Sequence, residues 1–196
     1  MPKRSDPARR IVDAALALAA RQSWRRTSLS DIAAEAGMPL LAVHDVYRSK
    51  AAILEAFRRR IDGEVLAGAE ADRGERPRDR LFDTIMRRFD SLAPYKAAVQ
   101  ELTRNAGGDP SALLAAAGFL RSMTWTLEAA GIDASGWRGA FRTHLLACLY
   151  VAVLRVWLED ESPDTTRTMA ALDRRLRSAG RWLGLEAAAA VAGASA

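Results

Sequence analysis

Four helix-punctuating residues, Ser28, Gly37, Pro39 and Ser49, crowd one short stretch and cut it into helices too brief to stand alone. Ser28, with Asp31 three residues later, predicts a capping box that opens a second helix, and Gly37 ends it. Pro39 opens a third short segment through about Val46. Ser49 caps a fourth helix running from Lys50 toward Ala69. Ahead of them, Asp6-Pro7 sets a cap and a proline at the first helical position. Ile11, Ala14, Ala15, Leu18 and Ala19 then share one face of a first helix ending near Gln22. Helices shorter than about 12 residues are marginal in water, so packing must hold the second and third in place.

Two short helices joined by a tight turn, after a longer helix, meet the demands of a helix-turn-helix. Gly37 supplies the left-handed backbone of the turn. Ile32, Ala33 and Ala36 give the first helix of the pair a small apolar inner face. The second must keep its outer face clear for the major groove. Charge runs the same way. Residues 1–60 hold 12 Lys/Arg against 6 Asp/Glu, while residues 61–196 hold 17 against 18. A basic head on a near-neutral body suits a phosphate-binding module joined to a sensor.

The rest of the chain predicts helices only. Asp72-Arg-Gly-Glu-Arg-Pro-Arg is a polar break between head and body. Leu81, Ile85, Met86 and Phe89 make a helical stripe beyond it. Pro94 and turns at Asn105–Pro110, Gly131–Gly136 and Ser162–Asp164 divide the remainder into further helices, and no β-branched alternation suggests a sheet. The fold class is therefore all-α. The head spans 1–54 with a connecting helix at about 50–70, the body spans 77–185, and 186–196 form an alanine-rich flexible tail. The longest apolar run, Leu145 to Leu154, falls short of the ~18 residues of a membrane span. The N-terminus lacks the apolar core of a signal peptide. A single cysteine, Cys148, excludes an internal disulfide and points to the cytoplasm.

No chemistry of catalysis is visible. There is no glycine-rich phosphate loop and no nucleophile motif, and His44 and His144 have no acid–base spacing. His144 and Cys148 share a helix face but are only two potential ligands, so they read as core residues and no metal site is expected. Glu159, Asp160, Glu161 and Asp164 read as a solvated turn. No enzyme activity and no cofactor is predicted.

Trp24, Thr27, Ile32-Ala33, Ala36-Gly37, Tyr47, Ser49-Lys50 and Ile53-Leu54 resemble, in order and spacing, the DNA-binding signature of the TetR family of transcriptional regulators. The resemblance implies a three-helix head, double-stranded DNA as partner, and a ligand-binding, dimerising body. It places Ser28 as a cap that touches phosphate and Pro39, Leu40, Ala42 and His44 on the reading helix. Tyr47 packs beneath that helix or reaches the backbone, and Lys50 pairs with a phosphate. Lys3, Arg4, Arg9 and Arg10 become a basic arm along the DNA. The chain departs from the family in having Pro39 for Ser/Thr, Leu41 for a small residue, His44 for Tyr and Asp45 where His is frequent. Leu40 and Leu41 can touch thymine methyls but cannot hydrogen-bond base edges.

TetR-like bodies hold an apolar cavity, and five Trp and five Met suit an adaptable one. The expected lining is Met86, Phe89, Phe119, Leu120, Met123, Trp125, Phe141, His144 and Cys148, around a small apolar or isoprenoid-like ligand. The 137–159 and 164–184 helices are expected to form the homodimer interface, and the function implied is a regulator, most simply a repressor. Asp79-Arg-Leu-Phe-Asp, Met86-Arg-Arg-Phe-Asp, Trp157–Asp164 and Leu172-Asp-Arg-Arg-Leu also look similar to the TetR-like ubiquinone-biosynthesis accessory proteins, which bind isoprenoid lipid. That resemblance implies an alternative function as a lipid-binding accessory protein. It also implies peripheral membrane contact through a helix bearing Arg174, Arg175, Leu176, Arg181, Trp182, Leu183 and Leu185.

Overall fold

A computed structural model describes residues 6–69, 74–104 and 111–185, the side chains of 111–115 apart. Every described element is helical: α1 (Pro7–Arg21), α2 (Leu29–Glu35), α3 (Leu40–Val46), α4 (Lys50–Ala69), α5 (Pro77–Leu92), a single 3-10 turn (Ala93–Tyr95), α6 (Lys96–Arg104), α7 (Ser111–Ala129), α8 (Gly136–Glu159) and α9 (Thr166–Leu183). The all-α expectation holds. The Asn105–Pro110 turn, Lys3, Arg4 and the tail from Glu186 lie outside the described residues.

Local chemistry explains the head's boundaries. Asp6 accepts from the Ala8 amide at 3.1 Å, with Pro7 at the first position of α1. The capping box of α2 closes in both directions: the Asp31 amide donates to Ser28 Oγ at 3.0 Å, and the Ser28 amide to Asp31 Oδ2 at 2.8 Å. Those bonds hold the Asp31 carboxyl below its ordinary range. At the far end Gly37 takes φ 61°. The Met38 amide bonds the Ala33 carbonyl at 2.9 Å and the Gly37 amide bonds Ala34 at 3.0 Å. Both orphan carbonyls are thus satisfied by a Schellman turn that a side chain at residue 37 would strain. Ser49 Oγ accepts from the Ala52 amide at 3.1 Å and opens α4.

Packing divides the chain into two units: Met1–Arg60 with Leu92–Gly118, and Ile61–Ser91 with Phe119–Ala196. Chain order alone set the division at residues 72–77. The difference arises because α6 packs on α1, tied by a 3.0 Å bond from the Trp24 amide to Glu101 Oε1. The first unit's core is Ile11, Leu16, Leu18, Ile32, Val43, Ile53 and Phe57. The second pairs α8 with α9 over Leu81, Ile85, Phe89, Met123, Leu127, Leu146, Val153, Trp157, Leu172 and Leu176. By length and composition α8 is long and apolar enough to cross a membrane, which a search for one unbroken apolar run overlooks. In the folded unit its Leu146, Leu149, Tyr150, Val153 and Trp157 are core.

Asp160 corrects the reading of the 159–164 cluster as a solvated turn, for it is 3% exposed. Thr165 sits left-handed at the N-cap of α9 and offers no side-chain cap. Asp160 replaces it. Its Oδ2 accepts from the Thr168 amide at 2.8 Å and Thr168 Oγ1 at 2.7 Å, and its Oδ1 from the Ser162 amide and hydroxyl. Burial pushes this carboxyl up, but the four bonds outweigh burial and hold it well below the usual carboxylate range. Asp160→Ala is expected to lower unfolding free energy by about 2 kcal/mol in urea titrations at neutral pH. Because the folded carboxyl titrates below the unfolded value near ~3.9, its contribution is complete above that pH and fades as pH falls through the folded value. The gap between wild type and variant should therefore narrow on acidification, and a constant gap would contradict the assignment.

Candidate functional site

Helix α3 presents an almost bare outer face. Val43 alone is fully buried, anchoring the helix in the head. Leu40 and Leu41 are exposed, Leu41 to 70%, with His44, Asp45 and Val46 around them, and Ala42 is half-buried. Pro39 occupies the N-cap without a side-chain cap bond. His44 Nδ1 lies 3.7 Å from Asp45 Oδ1, so the one imidazole on this helix sits beside an acid. The face offers apolar contact but few hydrogen-bond donors.

The expected phosphate contacts divide. Ser28 is exposed at the start of α2, as predicted, though its hydroxyl already caps that helix. Arg9 is exposed beside Asp13 at 3.8 Å. Arg10 instead donates through Nη2 to the Ala36 carbonyl at 2.5 Å, closing the end of α2. Tyr47 is half-buried beside α3, and burial, then the Asp6 charge, pushes its phenol up. Lys50 departs furthest from a phosphate contact. Its ammonium donates to the carbonyls of Trp24 at 2.6 Å and Thr27 at 2.7 Å and sits 4.5 Å over the Trp24 ring. The cation thus ties the start of α4 to the loop before α2. Sequence reasoning overlooked Arg25, Arg26 and Arg48, which are exposed and carry no ion pair among the described residues. The signal was available: they flank the capping serines Ser28 and Ser49.

The second unit separates the expected ligand lining. Phe89 and Met123 are fully buried, and Met86, Phe119 and Leu120 are half-buried. Phe89 stacks on Tyr150 at 5.2 Å and on Trp157 at 5.4 Å, and Phe119 tilts against Tyr150 at 5.6 Å. Trp125, Phe141, His144 and Cys148 do not join them, since all four are exposed. The reason is helical phase. Trp137, Phe141, His144, Cys148, Val151 and Arg155 succeed one another at intervals of four and three along α8 and form a single outward stripe. Trp182 of α9 lies 6.3 Å from Phe141 beside it. His144 and Cys148 are therefore surface residues, contrary to the core reading. A surface groove of about 380 Å³ between α5 and α9, lined by Arg78, Phe82, Met169 and Asp173, uses none of the expected lining.

Lys50→Met keeps the alkyl stem over Trp24 but loses both carbonyl bonds. It is expected to destabilise the head by about 1–3 kcal/mol. Faster amide exchange at α2, with α8 unchanged, is the readout. Unchanged exchange would mean that the tie is not a structural one.

Comparisons with known proteins point one way for the fold and two ways for the chain's parts. Residues 11–57 match the family model for bacterial regulatory proteins of the tetR family. Residues 142–182 match the COQ9 family model. No curated protein matches the chain. Among solved structures, a TetR transcriptional regulator from Nitrosomonas europaea is 27% identical, with a TM-score of 0.73, covering 90% of this chain and 99% of that one. A TetR transcriptional regulator from Rhodococcus is 18% identical with a TM-score of 0.58, covering 87% and 95%. A putative tetR family transcription regulator from Shewanella is 15% identical with a TM-score of 0.61, covering 88% and 95%.

Proposed function

We propose that this chain, an all-α protein with the TetR-regulator fold and a tetR-type head, works as a homodimeric, ligand-responsive DNA-binding transcriptional repressor of the cytoplasm. The observation that carries the reading is α3. It is the second helix of a helix-turn-helix, anchored through Val43, with its outer face left to solvent. A major groove accepts such a face. Leu40 and Leu41 meet thymine methyls, and the exposed guanidiniums of Arg25, Arg26 and Arg48 meet phosphates. Affinity in this arrangement comes mostly from the backbone, and specificity is modest.

The stripe on α8 supports the dimer. Its 4-3 spacing, with Trp137, Phe141 and Val151 as the large apolar members, is that of a helix–helix seam, and a two-fold axis through α8 and α9 builds a four-helix bundle from two copies. A small apolar ligand of the second unit then selects between conformations of different DNA affinity, releasing DNA if it prefers the weaker-binding one.

The match of residues 142–182 to the COQ9 model favours a second reading, a lipid-binding accessory protein without specific DNA binding. Exposed Trp182 with Arg174, Arg175 and Arg181 on α9 suits peripheral contact with a membrane surface.

DNA binding separates the two. The protein is titrated against DNA from upstream of its own gene and against scrambled DNA across a salt series. Preference that persists at physiological salt is the expected result. Equal, weak binding lost with salt would favour the lipid reading. Arg48→Ala should weaken binding to all sequences alike and flatten the salt slope by about one unit, with the fold unchanged. Phe141→Arg places a charge in the α8 stripe and is expected to turn a dimer into a monomer in sedimentation experiments.

A further inference from the structure

His144 and Cys148 stand one helical turn apart on the outward stripe of α8. Both are exposed, and Cys148 is a free thiol. Residues four apart on a helix have Cβ atoms about 5–6 Å from each other, close enough to grip one ion together. His144 is also oriented for it. Its Nδ1 lies 2.8 Å from the Ala140 carbonyl. A carbonyl only accepts, so Nδ1 carries the proton, and the neutral ring keeps its lone pair on Nε2. A backbone carbonyl on the far nitrogen is the arrangement that fixes the tautomer of metal-binding histidines.

One chain supplies too few ligands. Among the described residues no three His, Cys, Asp or Glu side chains cluster as a metal site. Two-fold symmetry changes the count. The stripe runs Trp137, Phe141, His144, Cys148, Val151, Arg155, with His144 and Cys148 as its middle pair. A two-fold axis perpendicular to α8, crossing between those two, runs the two copies of the helix antiparallel. It sets Trp137 opposite Arg155 of the second copy, Phe141 opposite Val151, and His144 opposite Cys148. Every position then has a counterpart. Trp137, 77% exposed in one chain, gains cover, and the Arg155 guanidinium meets an aromatic face. Sliding the register by one heptad leaves Trp137 and Phe141, or Val151 and Arg155, without counterparts. The matched register gathers two imidazoles and two thiols at the axis, which is the Cys2His2 set of a tetrahedral zinc site. Two thiolates cancel the charge of Zn2+, so the seam receives a neutral centre.

We propose that the α8 seam of the dimer holds one zinc ion, bound by His144 Nε2 and Cys148 Sγ from each of two copies. The inference rests on the homodimer proposed above. Zinc tightens that dimer, because the complete site exists only there.

Reduced, metal-free full-length protein is titrated with Co2+, a coloured stand-in for Zn2+. Saturation is expected at one ion per two chains, with sulfur-to-cobalt charge-transfer absorption and the visible bands of tetrahedral cobalt. In sedimentation equilibrium, Zn2+ should tighten dimerisation by about tenfold or more. Cys148→Ser should remove both the charge-transfer absorption and the zinc-dependent gain. Val151→Ala, on the same stripe but without a ligand atom, should weaken the dimer with and without zinc alike and keep the gain. A dimer that binds no cobalt, takes one ion per chain, or keeps its zinc gain in Cys148→Ser overturns the metal site and leaves the dimer standing. A dimer absent from reduced protein and formed only on oxidation is a disulfide, and overturns the site as well. A chain that stays monomeric with and without zinc takes the dimer reading down together with the site.

Discussion

The head depends on one ammonium group. Helices α2 and α3 have seven residues each, too few to persist by their own hydrogen bonds. They persist because α1 and the start of α4 brace them, and Lys50 fastens that brace by taking the carbonyls of Trp24 and Thr27. Arg10 does the same at the other end of α2 through Ala36. Two cations of a basic segment are thereby turned inward onto backbone carbonyls, and others, Arg25, Arg26 and Arg48, remain at the surface. Net charge alone does not separate these roles. Local geometry does, because a carbonyl within 3 Å competes directly with a phosphate for the same ammonium.

The second unit shows the opposite arrangement. Most of its interior is aliphatic and aromatic, yet Asp62, Arg88, Ser122 and Tyr150 are buried in it. Hydrophobic replacements of buried ion pairs are often neutral or stabilising, so stability alone is a poor reason for such a group. Ser122 offsets part of the cost of the Arg88–Asp62 pair by donating its hydroxyl to the Asp62 carboxylate.

The punctuation residues were legible because their effects are local. Asp6-Pro7, the Ser28–Asp31 box, Gly37 and Ser49 act on backbone groups within a few residues, and each boundary falls where the sequence puts it. The acidic turn after α8 was misread for the complementary reason. Asp160 bonds to Thr168 eight residues later, across a turn whose closure only the packed helix pair fixes. His144 and Cys148 were misread as core because α8 is apolar on nearly every face. With so little polar contrast, the pattern alone does not say which stripe turns inward.

The sequence by itself determined the helical class, the order and ends of the helices, and the helix-turn-helix with its basic bias. These arise from backbone capping, glycine's left-handed conformation and the period of the helix, all of which act over a turn or two. Tertiary structure alone decided which cations serve the fold and which face solvent, that α6 joins the head, and that α8 turns Phe141 and Cys148 outward. It alone brought Asp62, Arg88 and Ser122 from three helices to one place. Those outcomes depend on contacts between residues 26 to 77 positions apart. No local preference encodes such contacts, because their energy appears only when the helices dock.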